Sequence, residues 1–176
     1  MQKNDILSKE SVILQSLYEY FNNSANIDKI LLIITGKDKL SLRVLDWFVT
    51  NYSKKYNIIY SINNIKINIY NNYKNKLKSY NKRFFDPFCR KNKKNLTNKV
   101  AFKYNENHYI LTTIGQMNFF RWCIRYNIID YVKNHYDEII DDMNQNKKNK
   151  KNKKNKILKK FNKQNLFLNH NIEITF

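Results

Sequence analysis

Two glycines and one proline in 176 residues leave little that can turn the backbone sharply. A phosphate-cradling loop and a dinucleotide fingerprint need glycine where the chain approaches its ligand, so neither is expected. A loop-rich β-sandwich is disfavoured on the same ground. Cysteine is as scarce. Cys89 and Cys123 fit no metal-ligand spacing and no redox pair, and two distant thiols make no disulfide scaffold. Both are expected to be free, in a reducing compartment. No apolar run reaches the length that spans a bilayer. Met1–Glu10 lacks the apolar stretch of a signal peptide, so a soluble intracellular protein is expected. Acids are also few, at 14 against 33 Lys and Arg.

What is present is aromatic and basic. The 13 Tyr and 11 Phe can fill a core, and the length suits one domain with tails. The net charge of +19 points to a polyanion: nucleic acid, an anionic membrane surface or an acidic protein. A competing origin is codon bias, because Lys, Asn, Ile, Tyr and Phe are the residues an AT-rich genome over-produces. Where the charges lie therefore carries more than their total.

The clearest amphipathic helix is Ser41–Lys55, and the core is expected to be organised around it. Leu42, Leu45, Phe48, Val49 and Tyr52 share one face, and Ser41 stands at the N-cap. Ser11–Phe21 reads as an earlier helix. Ile30–Ile34 is too short a run to separate strand from helix. Tyr56–Ile62 is β-branched and aromatic, which favours a strand. Ile65, Ile67 and Ile69 alternate before helical spacing sets in over about 70–83, ending before Asp86-Pro87. Val100–Tyr104 and His108–Leu111 form a hairpin around Asn105-Glu106-Asn107. Thr113 and Gln116 make a capping box for a helix bearing Met117, Phe120, Cys123 and Ile124. A joint near Asn127 leads to a last helix ending about Met143. The fold class is therefore α+β, a mainly helical domain over 8–143 with a small antiparallel sheet. Residues 144–165, Lys/Asn-rich, are expected to be a disordered tail. In 166–176, Ile172, Ile174 and Phe176 alternate, either as a terminal strand or as a frayed end.

The strongest functional signal is a basic stretch. Residues 66–103 hold 12 Lys and Arg against one acid, Asp86, interleaved with aromatic residues. Cations neutralise phosphates and release counterions, and exposed rings stack on unpaired bases. The candidate nucleic-acid-binding residues are Lys74, Lys76, Lys78, Lys82, Arg83, Arg90, Lys91, Lys93 and Lys94. Tyr73 and Tyr80 join them as stacking rings, provided they are exposed. The alternative is a solvated helix face whose tyrosines are core. Ten lysines between Lys147 and Lys163 add attraction to phosphate that reads no sequence. Asp137, Glu138, Asp141 and Asp142 are expected on an exposed face that repels phosphate, against a DNA-reading helix-turn-helix. No catalytic set appears. His108, His135 and His170 are scattered, Asp141-Asp142 is an ordinary helix-end pair, and Cys89 beside Arg90 and Lys91 has no partner base. No enzyme activity, metal or cofactor is expected.

Three segments, SLRVLDWFVTNYSKK (41–55), YNNYKNKLKSYNKRFFDPFCRK (70–91) and TTIGQMNFFRWCIRYNIIDYV (112–132), resemble uncharacterised small basic proteins of nucleocytoplasmic large DNA viruses, mimivirus-like and phycodnavirus-like. They cover about a third of the chain. The resemblance implies a viral origin and a place in the viral factory of the host cytoplasm or in the virion. It carries no activity and no site residues. The expected function is non-enzymatic nucleic-acid binding, DNA or RNA, in genome packaging or viral gene expression. The alternative is a structural virion protein that binds other viral proteins. Buried tyrosines without a basic groove would favour that alternative.

Overall fold

Asparagine does in this chain what glycine does in most. Among the described residues, five non-glycine positions have positive φ, and all are asparagines: Asn57, Asn63, Asn64, Asn81 and Asn127. Asn tolerates the left-handed region better than other L-residues with a side chain, because its short amide bonds locally. The computed structural model describes residues 8–88, 99–106 and 108–168. Cys89, Arg90, Lys91, Lys93, Lys94, His170 and the 172–176 alternation lie outside them.

The chain divides into two compact units, Met1–Tyr136 and Asp137–Phe176; the sequence reading sets its boundary at 143/144. In the first unit, α1 (Lys9–Phe21) starts at Ser8, whose Oγ accepts from the Ser11 N–H. Helix α2 (Ser24–Ile34) is capped by Asn23, so the ambiguous Ile30–Ile34 run is helical. It ends where Gly36, at φ 72°, lets the Lys37 N–H reach Leu32 O and the Gly36 N–H reach Ile33 O. This is a Schellman closure, which needs the left-handed residue.

The Ser41 cap forms as expected, its Oγ accepting from the Val44 N–H. The helix behind it is not uniform. It runs as α3 (Leu42–Trp47), a π-helical turn over Phe48–Tyr52 and a last turn, α4 (Ser53–Lys55). Thr50 and Ser53 bond back to Asp46 O and Val49 O. Leu45, Phe48, Val49 and Tyr52 are buried. Strands β1 (Ile59–Ile62) and β2 (Ile65–Asn68) pair antiparallel around Asn63-Asn64. Two positive-φ residues in a two-residue loop match the twist of the flanking strands. Helix α5 (Ile69–Tyr80) follows directly, capped by Asn68. It stops at Asn81, at φ 62°, rather than at the later proline.

Strands β3 (Lys99–Lys103) and β4 (Tyr109–Thr113) form the expected hairpin, with Phe102 facing Ile110. Helices α6 (Ile114–Arg125) and α7 (Ile128–Asn134) meet at left-handed Asn127. Here the centre of the fold shifts from the expected place. Nine of the twelve residues of α6 are buried, so α6, rather than Ser41–Lys55, is the helix surrounded by the rest. Its interior place extends beyond its apolar residues, since Asn118 and Arg121 are among the buried ones. Gly115 shows how tightly: a Cβ there would stand 2.9 Å from both Arg83 O and Asp86 O.

In the second unit, the last expected helix does not end at Met143. Helix α8 (Tyr136–Leu168) carries on through the Lys/Asn segment. From Lys147 onward every described side chain is exposed. Only local hydrogen bonds hold those turns against lysine repulsion, consistent with the expectation of a disordered tail. Asp137, Glu138 and Asp141 are exposed, but Asp142 is buried, at 7 % exposure; the acidic face is thus three residues rather than four.

Candidate nucleic-acid interface

Two helices build the site. Helix α5 repeats Asn and Lys at helical spacing, so Asn72, Asn75, Lys76 and Tyr80 share one side. Helix α6 places Asn118, Arg121, Trp122 and Arg125 on one side by the same rule. Where the two sides meet, Lys76, Tyr80, Phe85, Asn118, Arg121, Trp122, Arg125 and Tyr126 line a cavity of about 70 Å³. Tyr126 is also a wall of an open groove of about 480 Å³, lined by Lys66 and Asn68 of β2 and by Asn71, Asn72 and Asn75. The Trp122 Nε1–H donates to Asn72 Oδ1 at 2.8 Å and ties the two helices together beside it. The back of the cleft is aromatic. Phe85 contacts Tyr73, Tyr80, Phe119 and Trp122 with ring centroids 5.8–6.2 Å apart.

Arg121 is the unusual residue. It is only 6 % exposed. Its Nη1 donates to Ser16 Oγ at 2.5 Å and, at 3.4 Å, to Ser16 O; its Nη2 donates to Asn118 Oδ1 at 2.7 Å. The Tyr80 phenol lines the same cavity and favours the charged guanidinium. Asn118 is itself fixed, its Nδ2 donating to Phe84 O at 2.9 Å. Among the described residues every acceptor around the guanidinium is neutral, and no carboxylate lines the cleft or the groove. Burial, reinforced by Arg125, pulls the Arg121 pKa down, while Tyr80 and Tyr20 oppose the shift. Arg125 is exposed and lies 5.1 Å above the Tyr20 ring. Burial raises the Tyr20 phenol, against the pull of Arg125 and Arg121.

A family model of unknown function, DUF7197, matches residues 2–173. The chain belongs to that family. A relative in Acanthamoeba polyphaga mimivirus, an uncharacterized protein, is 40% identical over 94% of this chain. The chain spans 63% of that relative's length. No solved structure matches. Membership places the chain in a giant-virus family, as the three resembling segments imply.

In this DUF7197 chain the expected basic face is dispersed. Lys74 and Lys78 are exposed, but two residues along a helix turn about 160° away from Lys76, so they face away from the cleft. Lys82 is exposed in the turn after α5. Arg83 is already engaged, 2.6 Å from Glu10 and over the Phe84 ring. Among the described members of the expected set, only Lys76 and Tyr80 line the cleft. Tyr73 is a correction: at 5 % exposure it is core, packed by Phe85, Phe119 and Trp122, and cannot stack on a base. Tyr80 is half-buried and stacked on Phe85. Arg121, Arg125 and Tyr126 were not anticipated. Their signal was an Arg at each end of one helical turn, the first set inside 117–124, where six of eight residues are apolar.

The two described histidines, His108 and His135, do not converge. His135 stacks on Tyr131 and His108 faces Asn105. Among the described residues no three His, Cys, Asp or Glu side chains are placed to hold a metal ion, and no helix is long and apolar enough to cross a membrane. Cys123 is buried, and burial raises its thiol pKa.

Proposed function

We propose that the protein is a non-enzymatic nucleic-acid-binding protein of a large DNA virus, acting in genome packaging or viral gene expression in the viral factory or virion. The observation that carries this reading is the cleft of Lys76, Arg121 and Arg125, free of acids, continuing past Tyr126 into a groove lined by Lys66 and asparagines. Cations attract the backbone and amides bond its oxygens without demanding a sequence. The lysines of α8 add attraction that reads no sequence.

The test is binding of the full chain to labelled duplex DNA and single-stranded RNA across a salt series. A companion chain with the ten lysines from Lys147 to Lys163 changed to glutamine separates the two sources of charge. A steep salt dependence in the companion chain, weakened by Lys76→Gln and Arg125→Gln, supports the reading. No binding by the companion chain at moderate salt overturns it for the groove. A second reading, a structural virion protein binding other viral proteins, draws on the outward face of the β3–β4 hairpin. There Tyr109 is 60 % and Leu111 64 % exposed, more apolar surface than a two-stranded ribbon needs to leave uncovered.

A further inference from the structure

A buried guanidinium is costly unless something offsets its charge. Elsewhere in this unit, cations find acids: Arg83 pairs with Glu10, and Lys133 with Asp38 at 2.8 Å. Arg121 is more buried than either, and among the described residues its hydrogen bonds go to Ser16 and Asn118. Its Nη1 and Nη2 donors are satisfied by Ser16 and Asn118, and among the described residues no buried side-chain nitrogen lacks a partner; what the guanidinium lacks there is an opposite charge. Arg125 and Lys76 add two further cations to the same cavity. The Tyr80 hydroxyl lines the same cavity and has an O–H proton to donate. Asn118 is locked by the Phe84 carbonyl, which holds the Arg121 fork in one orientation. The place is preorganised, and the missing component is an anion.

We propose that the cleft between α5 and α6 seats one phosphate group, bound by Arg121, Lys76, Arg125 and the Tyr80 hydroxyl. The size of the cavity, about 70 Å³, sets the class. It admits a tetrahedral oxyanion and excludes a sugar or a base. Arg forks match phosphate oxygens in geometry as well as charge. Cations with no acid among them suit a doubly charged terminal phosphate as well as a singly charged internal one. The inference rests on the nucleic-acid reading only for the source of that phosphate, a strand end or the backbone.

The test uses the full chain, with inorganic phosphate as the first probe. Phosphate is titrated at constant ionic strength held with sodium chloride, and the thermal midpoint is followed. A ligand that binds only the folded state raises it saturably. The expected result is such a rise, lost in the Lys76→Gln, Arg125→Gln double variant, whose unliganded thermal midpoint checks that it still folds, Arg125 being exposed and Lys76 half-buried. A response no larger than that to chloride, or one unchanged in the double variant, overturns the proposal. The second probe is one single-stranded oligonucleotide with either a 5′-phosphate or a 5′-hydroxyl. About tenfold tighter binding of the phosphorylated strand, lost in the double variant, supports the site and assigns it to strand ends. Equal binding of both strands, weakened about tenfold in the double variant, supports it and assigns it to the backbone. A phosphate response without oligonucleotide binding keeps the site and overturns the nucleic-acid reading. Oligonucleotide binding without a phosphate response does the reverse.

Discussion

Helix α8 and the α5–α6 cleft are both basic, and they use charge in opposite ways. Ten lysines between Lys147 and Lys163 outnumber the three cations of the cleft. Yet those on α8 whose side chains are described stand in solvent, where counterions screen them and each adds little. Arg121 is 6 % exposed and held by Ser16 and Asn118. Its field is less screened, and its orientation is fixed before any ligand arrives. Charge density marks where a polyanion is attracted; burial marks where one of its groups can be held.

The comparison breaks most sharply at the frame of the cleft. Phe85→Ala removes a fully buried ring that touches Tyr73, Tyr80, Phe119 and Trp122. It is expected to cost about 3–5 kcal/mol in urea unfolding and to abolish the phosphate response while leaving α8 attraction intact. Gly115→Ala follows, at about 1–3 kcal/mol, because its methyl meets backbone oxygens at 2.9 Å that no side-chain rotation can move. Arg121→Met is the more telling variant. Relief of charge burial offsets the lost hydrogen bonds, so stability is expected to change by less than about 1.5 kcal/mol. Phosphate affinity should disappear all the same. A large destabilisation with phosphate response intact would make Arg121 a structural residue.

Smaller effects probe paired and solvated charges. The hydrogen bond from Lys133, opposed by burial and aided by the Leu40 N–H, holds the Asp38 carboxyl below its ordinary value. A carboxyl depressed in the folded state contributes stability above its unfolded pKa of about 3.9, which is lost as pH falls through the lower folded value. Asp38→Asn is therefore expected to flatten the acid limb of the stability profile below about pH 4, by under about 1 kcal/mol. Least of all, Lys74→Gln with Lys78→Gln should move stability within about 0.5 kcal/mol. These two should reduce the salt slope of binding without touching the phosphate response.

Local chemistry was legible where it is local. Ser41 and Thr113 are N-caps because a hydroxyl two or three residues ahead of orphan N–H groups has one obvious use. The box at Thr113 closes differently from expectation: Gln116 Oε1 accepts from the Thr112 hydroxyl instead of reaching back to the cap. The hairpin of β3 and β4 and the Asn127 joint follow from alternation and a left-handed residue. The π turn at Phe48–Tyr52 and the break at His135 have no such marker in the residue pattern. Tyr73 and Tyr80, seven apart on one helix, looked equivalent as stacking rings. Their burial differs because Tyr73 points into the α6 aromatics while Tyr80 lies at the cleft.

By itself the sequence determined the fold class, most of the helix starts, the β3–β4 hairpin, and the excess of positive charge. These depend on neighbours within a few residues and on composition. The tertiary structure decided that α6 is the interior helix, that Tyr73 is core, and that Lys76 lines one cavity with Arg121 and Arg125 while Lys74 and Lys78 turn away. The physical reason is distance along the chain. Lys76 and Arg121 are neighbours only because aromatic packing brings α5 onto α6, and no local pattern records which cations that packing will leave buried without an acid.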